Sequence, residues 1–328
     1  MAVATMSARN ARAAPPGVDG LPREHVSEIQ RMRILGAMGE VASERGAGSV
    51  TVAHVVSRAG VSRRTFYDLF ADREECFLAA FEDAIAAVST RVLEAYGQDG
   101  VWRERIRAGL WAALEWLDEE PALARLCVVE SLAAGPVVLE RRAVVLRALV
   151  VAVDEGRGAM ARNATPPPPL TAEGVVGAVL SVIHTRLLDP KPRPLTGLLG
   201  ELMSVVVLPY QGQAAAQREL HKHPPLLSKK MGSVHRDPLD GLEMRITYRT
   251  VRVLMVIATH PDASNRQIAS EAGISDQGQV SKLLARLEHL GLIYNRGLGP
   301  VKGAPNAWQL TARGRQVEGA IRVRTARG

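Results

Sequence analysis

Two adjacent arginines, followed by a hydroxyl group and a phenol, form the set of side chains in this sequence that is best suited to bind a polyanion. Arg63, Arg64, Thr65 and Tyr67 fall on one side of a short amphipathic segment, opposite its apolar residues. Arginine pairs with guanine edges or with phosphate, and hydroxyl groups donate hydrogen bonds to phosphate oxygens. Such side chains at the exposed N-terminal end of a short helix are typical of recognition in the DNA major groove.

The neighbouring residues predict the two helices that would position these side chains. Thr51 is a suitable N-cap for the first helix, and Gly60 can end it because glycine adopts positive φ without a steric cost. Val61 would pack under the turn, and Ser62 would cap the second helix. The side chains predicted to face inward from the second helix are Phe66, Leu69 and Phe70. Residues 51–70 therefore predict a helix-turn-helix.

The stretch resembles the DNA-binding domain of the TetR/AcrR family of bacterial regulators. The similarity rests on A-G-V-S followed by T-F-Y-D-L-F and D-R-E-E-C-F, and it covers about residues 24–81. It implies a homodimer that binds double-stranded DNA, with Arg73 on the DNA backbone. The alternative is a helical hairpin inside a larger all-α protein. The candidate DNA-binding residues are Thr51, Ser62, Arg63, Arg64, Thr65, Tyr67 and Arg73.

The central part of the chain predicts successive helices with short breaks. The last two, residues 173–188 and 195–208, are apolar over much of their surfaces. In the family the corresponding helices pair with their copies in a second subunit, although here they could also simply close the core of one subunit. The resemblance further implies a pocket for a small, largely apolar effector between the central helices. Its candidate residues, each of which could instead belong to the core, are Trp102, Trp111, Trp116, Cys127, Met160 and His184.

A second helix-turn-helix pattern begins at residue 243. Helices are predicted at 248–260 and 265–272, followed by a longer helix capped by Ser275 and by two strands around a Gly/Pro loop at 297–305. This order resembles a winged helix of the MarR-like kind, which would bind DNA or, alternatively, a protein partner. The candidate DNA-binding residues are Ser275, Gln277, Gln279, Ser281, Lys282, Arg286, Arg296 and Lys302.

Composition and charge agree with a mainly α-helical DNA-binding protein. Of the 328 residues, 47% are hydrophobic but only 4% are aromatic, so Ala, Val and Leu must build the core, which favours packed helices. The net charge of +7 arises in the last third, because residues 211–328 contain 18 basic and 9 acidic residues. That part of the chain is therefore a candidate for contact with a polyanion in its own right.

The sequence contains no pattern that favours catalysis. No nucleophile with a base, metal-ligand spacing or cofactor loop stands out, so we expect neither an enzyme nor a cofactor. Cys76 and Cys127 lie in apolar helical contexts and suit a reducing compartment. Without a signal peptide or a long apolar span, we expect a cytoplasmic protein associated with DNA.

We expect five regions along the chain. They are a disordered tail (1–22), the helix-turn-helix domain (23–82), an all-α ligand-binding and dimerisation domain (83–210), a linker (211–240) and a winged-helix domain (241–328).

Overall fold

The computed structural model describes residues 23–222, 248–274, 276–297 and 306–325. The fold is mainly α-helical with one two-stranded hairpin in the described residues, as predicted. The described residues divide into two compact units: one comprises residues 30–222, and the other contains the described residues from 248 onward. The predicted tail and most of the predicted linker lie outside the described residues. No helix in the described part of the chain is both long and apolar enough to cross a membrane.

The N-terminal helix-turn-helix forms as the capping residues predict. Its elements are α1 (Arg23–Arg45), a 3-10 turn (Ala47–Ser49, here the Ala47 turn), α2 (Val52–Ala59) and α3 (Arg63–Leu69). Helix α1 begins at Arg23, although the S-E-I-Q stretch from Ser27 has the pattern of a capping box and would predict a start there. Fully buried Ile34, Met38, Val55 and Phe66 join α1, α2 and α3 in one core.

Six helices follow in the same unit. They are α4 (Arg73–Tyr96), α5 (Trp102–Glu119), α6 (Pro121–Val128), α7 (Pro136–Asp154), α8 (Thr171–Leu187) and α9 (Leu199–Leu220). Asp72 caps α4 by accepting from the N–H of Glu75 at 2.8 Å. Helix α6 ends at Val128, and the chain continues as a 3-10 turn (Glu130–Ala133, here the Glu130 turn).

Helix α9 extends into residues that were predicted as linker. Its backbone breaks at Gly212, which has φ 76° and ψ 178°, and residues 213–220 form a second arm. This arm returns along the first, because a Cβ atom at Gly200 would lie 2.8 Å from the carbonyl oxygen of Leu220. The buried carboxylate of Glu219 binds Arg107 of α5 at 2.8 Å. The arm is therefore part of the helical unit.

The C-terminal unit contains three helices, a hairpin and a last helix. They are α10 (Tyr248–Thr259), α11 (Asn265–Glu271), α12 (Gln277–His289), β1 (Ile293–Asn295), β2 (Trp308–Leu310) and α13 (Ala312–Thr325). The strands are antiparallel, with Ile293 opposite Leu310. Ser275, the predicted cap of α12, lies outside the described residues, and Asp276 caps the helix by accepting from the N–H groups of Gly278 and Gln279. Buried Leu254, Ile268 and Leu284 pack the core of this unit.

Candidate DNA-binding surface and ligand cavity

Local hydrogen bonds fix the ends of the two helices in the N-terminal helix-turn-helix. The Thr51 hydroxyl accepts from the N–H of His54 at 3.3 Å, and Gly60 ends α2 with φ 64°. The Ser62 hydroxyl accepts from the N–H of Thr65 at 3.0 Å and so caps α3. Val61 is buried under the turn. All four predicted roles in this turn are confirmed.

The outer side of α3 presents two arginines and a phenol. Arg63 is exposed, and Tyr67 is 57% exposed. The side chain of Arg64 is 91% exposed and approaches Asp68 only to 3.9 Å, so little holds it in place. Thr65 is half-buried, and its hydroxyl lies 2.9 Å from that of Ser62. The side chains available to another molecule are therefore Arg63, Arg64 and Tyr67, whereas Thr51, Ser62 and Thr65 mainly shape the turn.

Two further contacts hold the helix-turn-helix against α1. The Arg58 guanidinium binds Glu40 and Glu44 of α1, each at 2.7 Å. The hydrogen bond from Arg58 lowers the pKa of Glu44, and its two carboxylate partners raise the pKa of Arg58. Arg31 places its guanidinium 5.6 Å from the centre of the Phe70 ring just after α3. These contacts fix α3 relative to its support helix.

Arg73, the predicted contact to the DNA backbone, is directed toward the protein. Its guanidinium donates to the carbonyl oxygens of Ala47 at 3.4 Å and Val50 at 3.3 Å. The side chain remains 35% exposed, with Glu74 at 3.6 Å. In this structure Arg73 therefore braces the Ala47 turn, which leads into α2.

The same turn is held from its other side by a buried carboxylate. Glu130 accepts a hydrogen bond from the backbone N–H of Ala47 at 2.8 Å. Arg125 lies 4.0 Å from the Glu130 carboxylate and donates to the carbonyl oxygen of Leu187, at the end of α8, at 2.8 Å. The Glu130 turn thus links the central helices to the helix-turn-helix. No sequence pattern marks Glu130, because its partner is a backbone atom 83 residues away.

A cavity of about 800 Å³ lies beside the Glu130 turn, between the end of α6, α7 and α8. This volume falls within the usual range for small-molecule sites, about 300–1,000 Å³. Its lining residues are Val128, Leu132, Arg142, Leu146, Arg147, Val150, Val151, Glu173, Val176, Gly177, Leu180, Ser181 and His184. Most of these side chains are apolar, and the cavity is therefore suited to a molecule with an apolar body.

Arg142 is the half-buried charge in this lining. Burial lowers the pKa of its guanidinium. No hydrogen bond or ion pair joins Arg142 to another residue in the described part of the chain. Arg147 and Glu173 also line the cavity but are exposed to solvent. Sequence analysis did not select Arg142, although it occupies a position of the apolar face of α7 between Val138 and Leu146.

Of the six residues predicted to form a ligand pocket, His184 lines this cavity. Trp102 instead packs on Tyr210, with ring centroids 5.3 Å apart, and donates to the carbonyl oxygen of Ala152 at 3.0 Å. The other four, which pack within or against the core, are Trp111, Trp116, Cys127 and Met160. Large side chains in helical stretches fill the interior here, so size alone was a poor guide to the cavity.

The C-terminal unit presents a polar surface along α12. Gln277, Ser281 and Lys282 are exposed. Gln279 is exposed too, but its side-chain oxygen accepts from Arg249 at 2.6 Å. Ser275 and Lys302 lie outside the described residues.

Polar contacts also join the hairpin to the helices of this unit. The Trp308 indole donates to Asn265, the first residue of α11, at 2.6 Å, and Asn265 donates to Ser281 at 3.4 Å. Arg296, at the end of β1, lies 4.0 Å from Asp262. Arg286 is exposed on the last turn of α12. The hairpin and α12 are therefore positioned through Asn265.

The described residues offer no group of three His, Cys, Asp or Glu side chains that could hold a metal ion. They also contain a helix-turn-helix with exposed arginines on its second helix, an arrangement that is typical of DNA-binding domains. Residues 34–80 match the family model of bacterial regulatory proteins of the tetR family. The matched residues therefore form a DNA-binding domain of the tetR kind.

Several solved structures of bacterial regulators are similar over about half of the chain. The fatty acid degradation regulator FadR from Bacillus halodurans is 17% identical, with a TM-score of 0.49 over 54% of this chain and 94% of that one. FadR from Bacillus subtilis, solved in complex with stearoyl-CoA, is 18% identical, with a TM-score of 0.47 over 54% and 97%. The ketosteroid regulator KstR2 of Mycobacterium tuberculosis is 16% identical, with a TM-score of 0.43 over 54% and 93%. A comparison with curated proteins gives no significant match.

Proposed function

We propose that the protein is a ligand-responsive repressor that binds a palindromic operator as a homodimer. The observation that carries this proposal is the surface of α3, where Arg63, Arg64 and Tyr67 are exposed at the end of a firmly capped turn. Arginine in this position can pair with guanine edges or with phosphate. Residues 1–90 carry a net charge of −1, from 10 basic and 11 acidic residues, so DNA binding by this domain depends on these few placed side chains.

The surfaces of α8 and α9 support the homodimer. Ala178 and Val182 are exposed on α8, and Val205 and Leu208 are 41% and 49% exposed on α9. Small and apolar side chains on two adjacent helices suit pairing with the same helices of a second copy, which buries them. Such a dimer would place two copies of α3 on successive major grooves, about 34 Å apart or a multiple of it.

The Glu130 turn offers a route from the cavity to the DNA-binding surface. Val128 and Leu132, on either side of Glu130, line the cavity. The Glu130 carboxylate holds the N–H of Ala47 at the entrance to α2. A ligand that displaces this turn shifts the helix-turn-helix. A small shift in each subunit is enough that the distance between the two copies of α3 no longer matches the fixed spacing of the half-sites. Ligand binding in the cavity therefore lowers operator affinity.

Selection of bound DNA from a random pool by the full-length protein tests this function. We expect an enriched palindrome, bound by a protein dimer in sedimentation or light-scattering measurements. Enrichment of no sequence, or of a single half-site by a monomer, would contradict the proposal.

The C-terminal unit supports a second DNA contact as an additional function. Its order of three helices, a hairpin and a helix resembles that of a winged helix, and Gln277, Ser281 and Lys282 are exposed along α12. The alternative is a scaffold that binds a protein partner through this unit. Lys282→Glu separates the two, with Glu288→Gln as an exposed control on the same helix. A loss of operator affinity that is largest at low salt, together with a shallower salt dependence than that of the unmodified protein, supports DNA contact; an unchanged affinity and footprint favour the protein partner.

A further inference from the structure

Arg142 interrupts an otherwise apolar face of α7. Val138, Leu146 and Val150 lie on this face at helical spacing, and Val138 is almost fully buried. Arg142 takes the position between Val138 and Leu146, where the spacing calls for another apolar side chain. Its side chain lines the cavity together with Leu146 and Val150. A charged group is thus directed into a site whose other walls are mostly hydrocarbon.

The guanidinium in this site has hydrogen-bonding capacity that the protein does not use. It carries five N–H donors, and no acceptor satisfies them among the described residues. Burying a charge without a partner is costly, so an anion that enters the cavity gains a strong interaction. The carboxylate in the lining, Glu173, stays exposed to solvent and forms no ion pair with Arg142 in the described part of the chain. His184 on α8 is a second polar group that a bound anion can reach.

We propose that the cavity binds an amphipathic monoanion, whose carboxylate or sulfonate pairs with Arg142 while its apolar body contacts Leu146, Val150 and Leu180. This inference names the effector class of the ligand response proposed above and rests on that function. The volume of about 800 Å³ leaves room for a substantial apolar body. A purely apolar molecule would leave Arg142 unpaired, whereas the lining, with Arg142 and Arg147 against Glu173, has a formal net charge of +1 that one negative charge balances.

Two fluorescent probes of nearly equal shape test the proposal. 8-Anilinonaphthalene-1-sulfonate is an amphipathic monoanion, and N-phenyl-1-naphthylamine is its neutral parent without the sulfonate. Both are titrated into the full-length protein, into Arg142→Met and Arg142→Lys, and into the control Arg162→Met, which removes an exposed arginine outside the cavity lining. Circular dichroism and operator affinity without any probe show whether each variant is folded.

We expect Arg142→Met to weaken binding of the sulfonate by about tenfold or more, the usual effect of one charge-assisted hydrogen bond. Binding of the neutral probe should stay within about twofold, Arg142→Lys should recover part of the loss, and Arg162→Met should bind both probes like the unmodified protein. Equal loss for both probes, no loss for the sulfonate, or no binding of the sulfonate to the unmodified protein would each overturn the proposal. Operator binding is measured separately, so a protein that binds the sulfonate but no DNA refutes the regulatory function and leaves only the anion-binding site standing.

Discussion

The carboxylate of Glu130 accepts a hydrogen bond from the backbone N–H of Ala47 at 2.8 Å, and both groups are buried. This bond joins a turn that borders the ligand cavity to the turn that leads into α2. Arg73 donates to the carbonyl oxygen of the same Ala47 residue. Ala47, which precedes the helix-turn-helix, is therefore held from both sides. The central helices hold its N–H, and α4 holds its carbonyl oxygen.

Glu130→Ala should uncouple ligand binding from DNA release. The substitution leaves the Ala47 N–H without its acceptor, which costs about 1–3 kcal/mol of stability. We expect a lower melting temperature and a smaller effect of a cavity ligand on operator affinity, measured by fluorescence anisotropy of labelled operator. Glu140→Ala, at an exposed position of α7, serves as the control. An unchanged ligand effect in folded Glu130→Ala would show that the signal takes another route.

Arg63→Ala and Arg64→Ala should each weaken operator binding by about 1–3 kcal/mol if the side chain pairs with a guanine. Both side chains are exposed and neither is held by a strong ion pair, so each is available to contact DNA, and its removal takes that contact away. Contact with a guanine is distinguished from contact with phosphate by measuring affinity for the operator and for operators that are substituted at each base pair. A uniform loss on every sequence would assign the arginine to phosphate, and no loss would remove it from the interface. Tyr67→Phe extends the series, because it removes only the exposed hydroxyl.

Glu219→Leu should destabilise the helical unit by about 3–5 kcal/mol, because it leaves Arg107 buried without its carboxylate partner. The measurement is urea unfolding of the full-length protein. Adding Arg107→Met should recover much of the loss, since an apolar pair can replace a buried ion pair. A small effect of Glu219→Leu alone would mean that the second arm of α9 contributes little to the fold.

The two cysteines should be unreactive in the native protein. Burial raises the pKa of the Cys76 and Cys127 thiols to about 12. At pH 8 both pKa values lie well above the pH, so almost no thiolate forms, and thiolate is the reactive species. We expect a disulfide reagent such as Ellman's reagent to label them only as fast as the protein unfolds, and more rapidly in urea. Fast labelling of the native protein at pH 8 would contradict this.

The parts of the fold set by neighbouring residues could be predicted from the sequence, and those set by distant contacts could not. The caps Thr51, Ser62 and Asp72 act on backbone groups within three residues, so their patterns are readable. The second arm of α9 was missed because its Gly and polar residues resemble a linker. What holds it in place is the pairing of Glu219 with Arg107, 112 residues away.

The candidate DNA-binding surface could likewise be predicted from the sequence, whereas the cavity could not. Arg63, Arg64 and Tyr67 could be selected because the helical spacing of the apolar residues in one short helix predicts which side chains face outward. The cavity is formed by the end of α6 and by α7 and α8, with lining residues between positions 128 and 184, and no local pattern shows which side chains meet there. Arg142 did leave one trace, as a charge on the apolar face of α7.

The contact from Glu130 is made to a main-chain atom, which affects the positions at which the protein can vary in evolution. Any amino acid except proline keeps an N–H at position 47, so this bond needs no particular side chain there, provided that the buried site accommodates it. The arginines on α3 take no part in it and can be exchanged without touching it. Choice of operator and response to ligand can therefore vary independently, so that a new DNA target need not require a new switch.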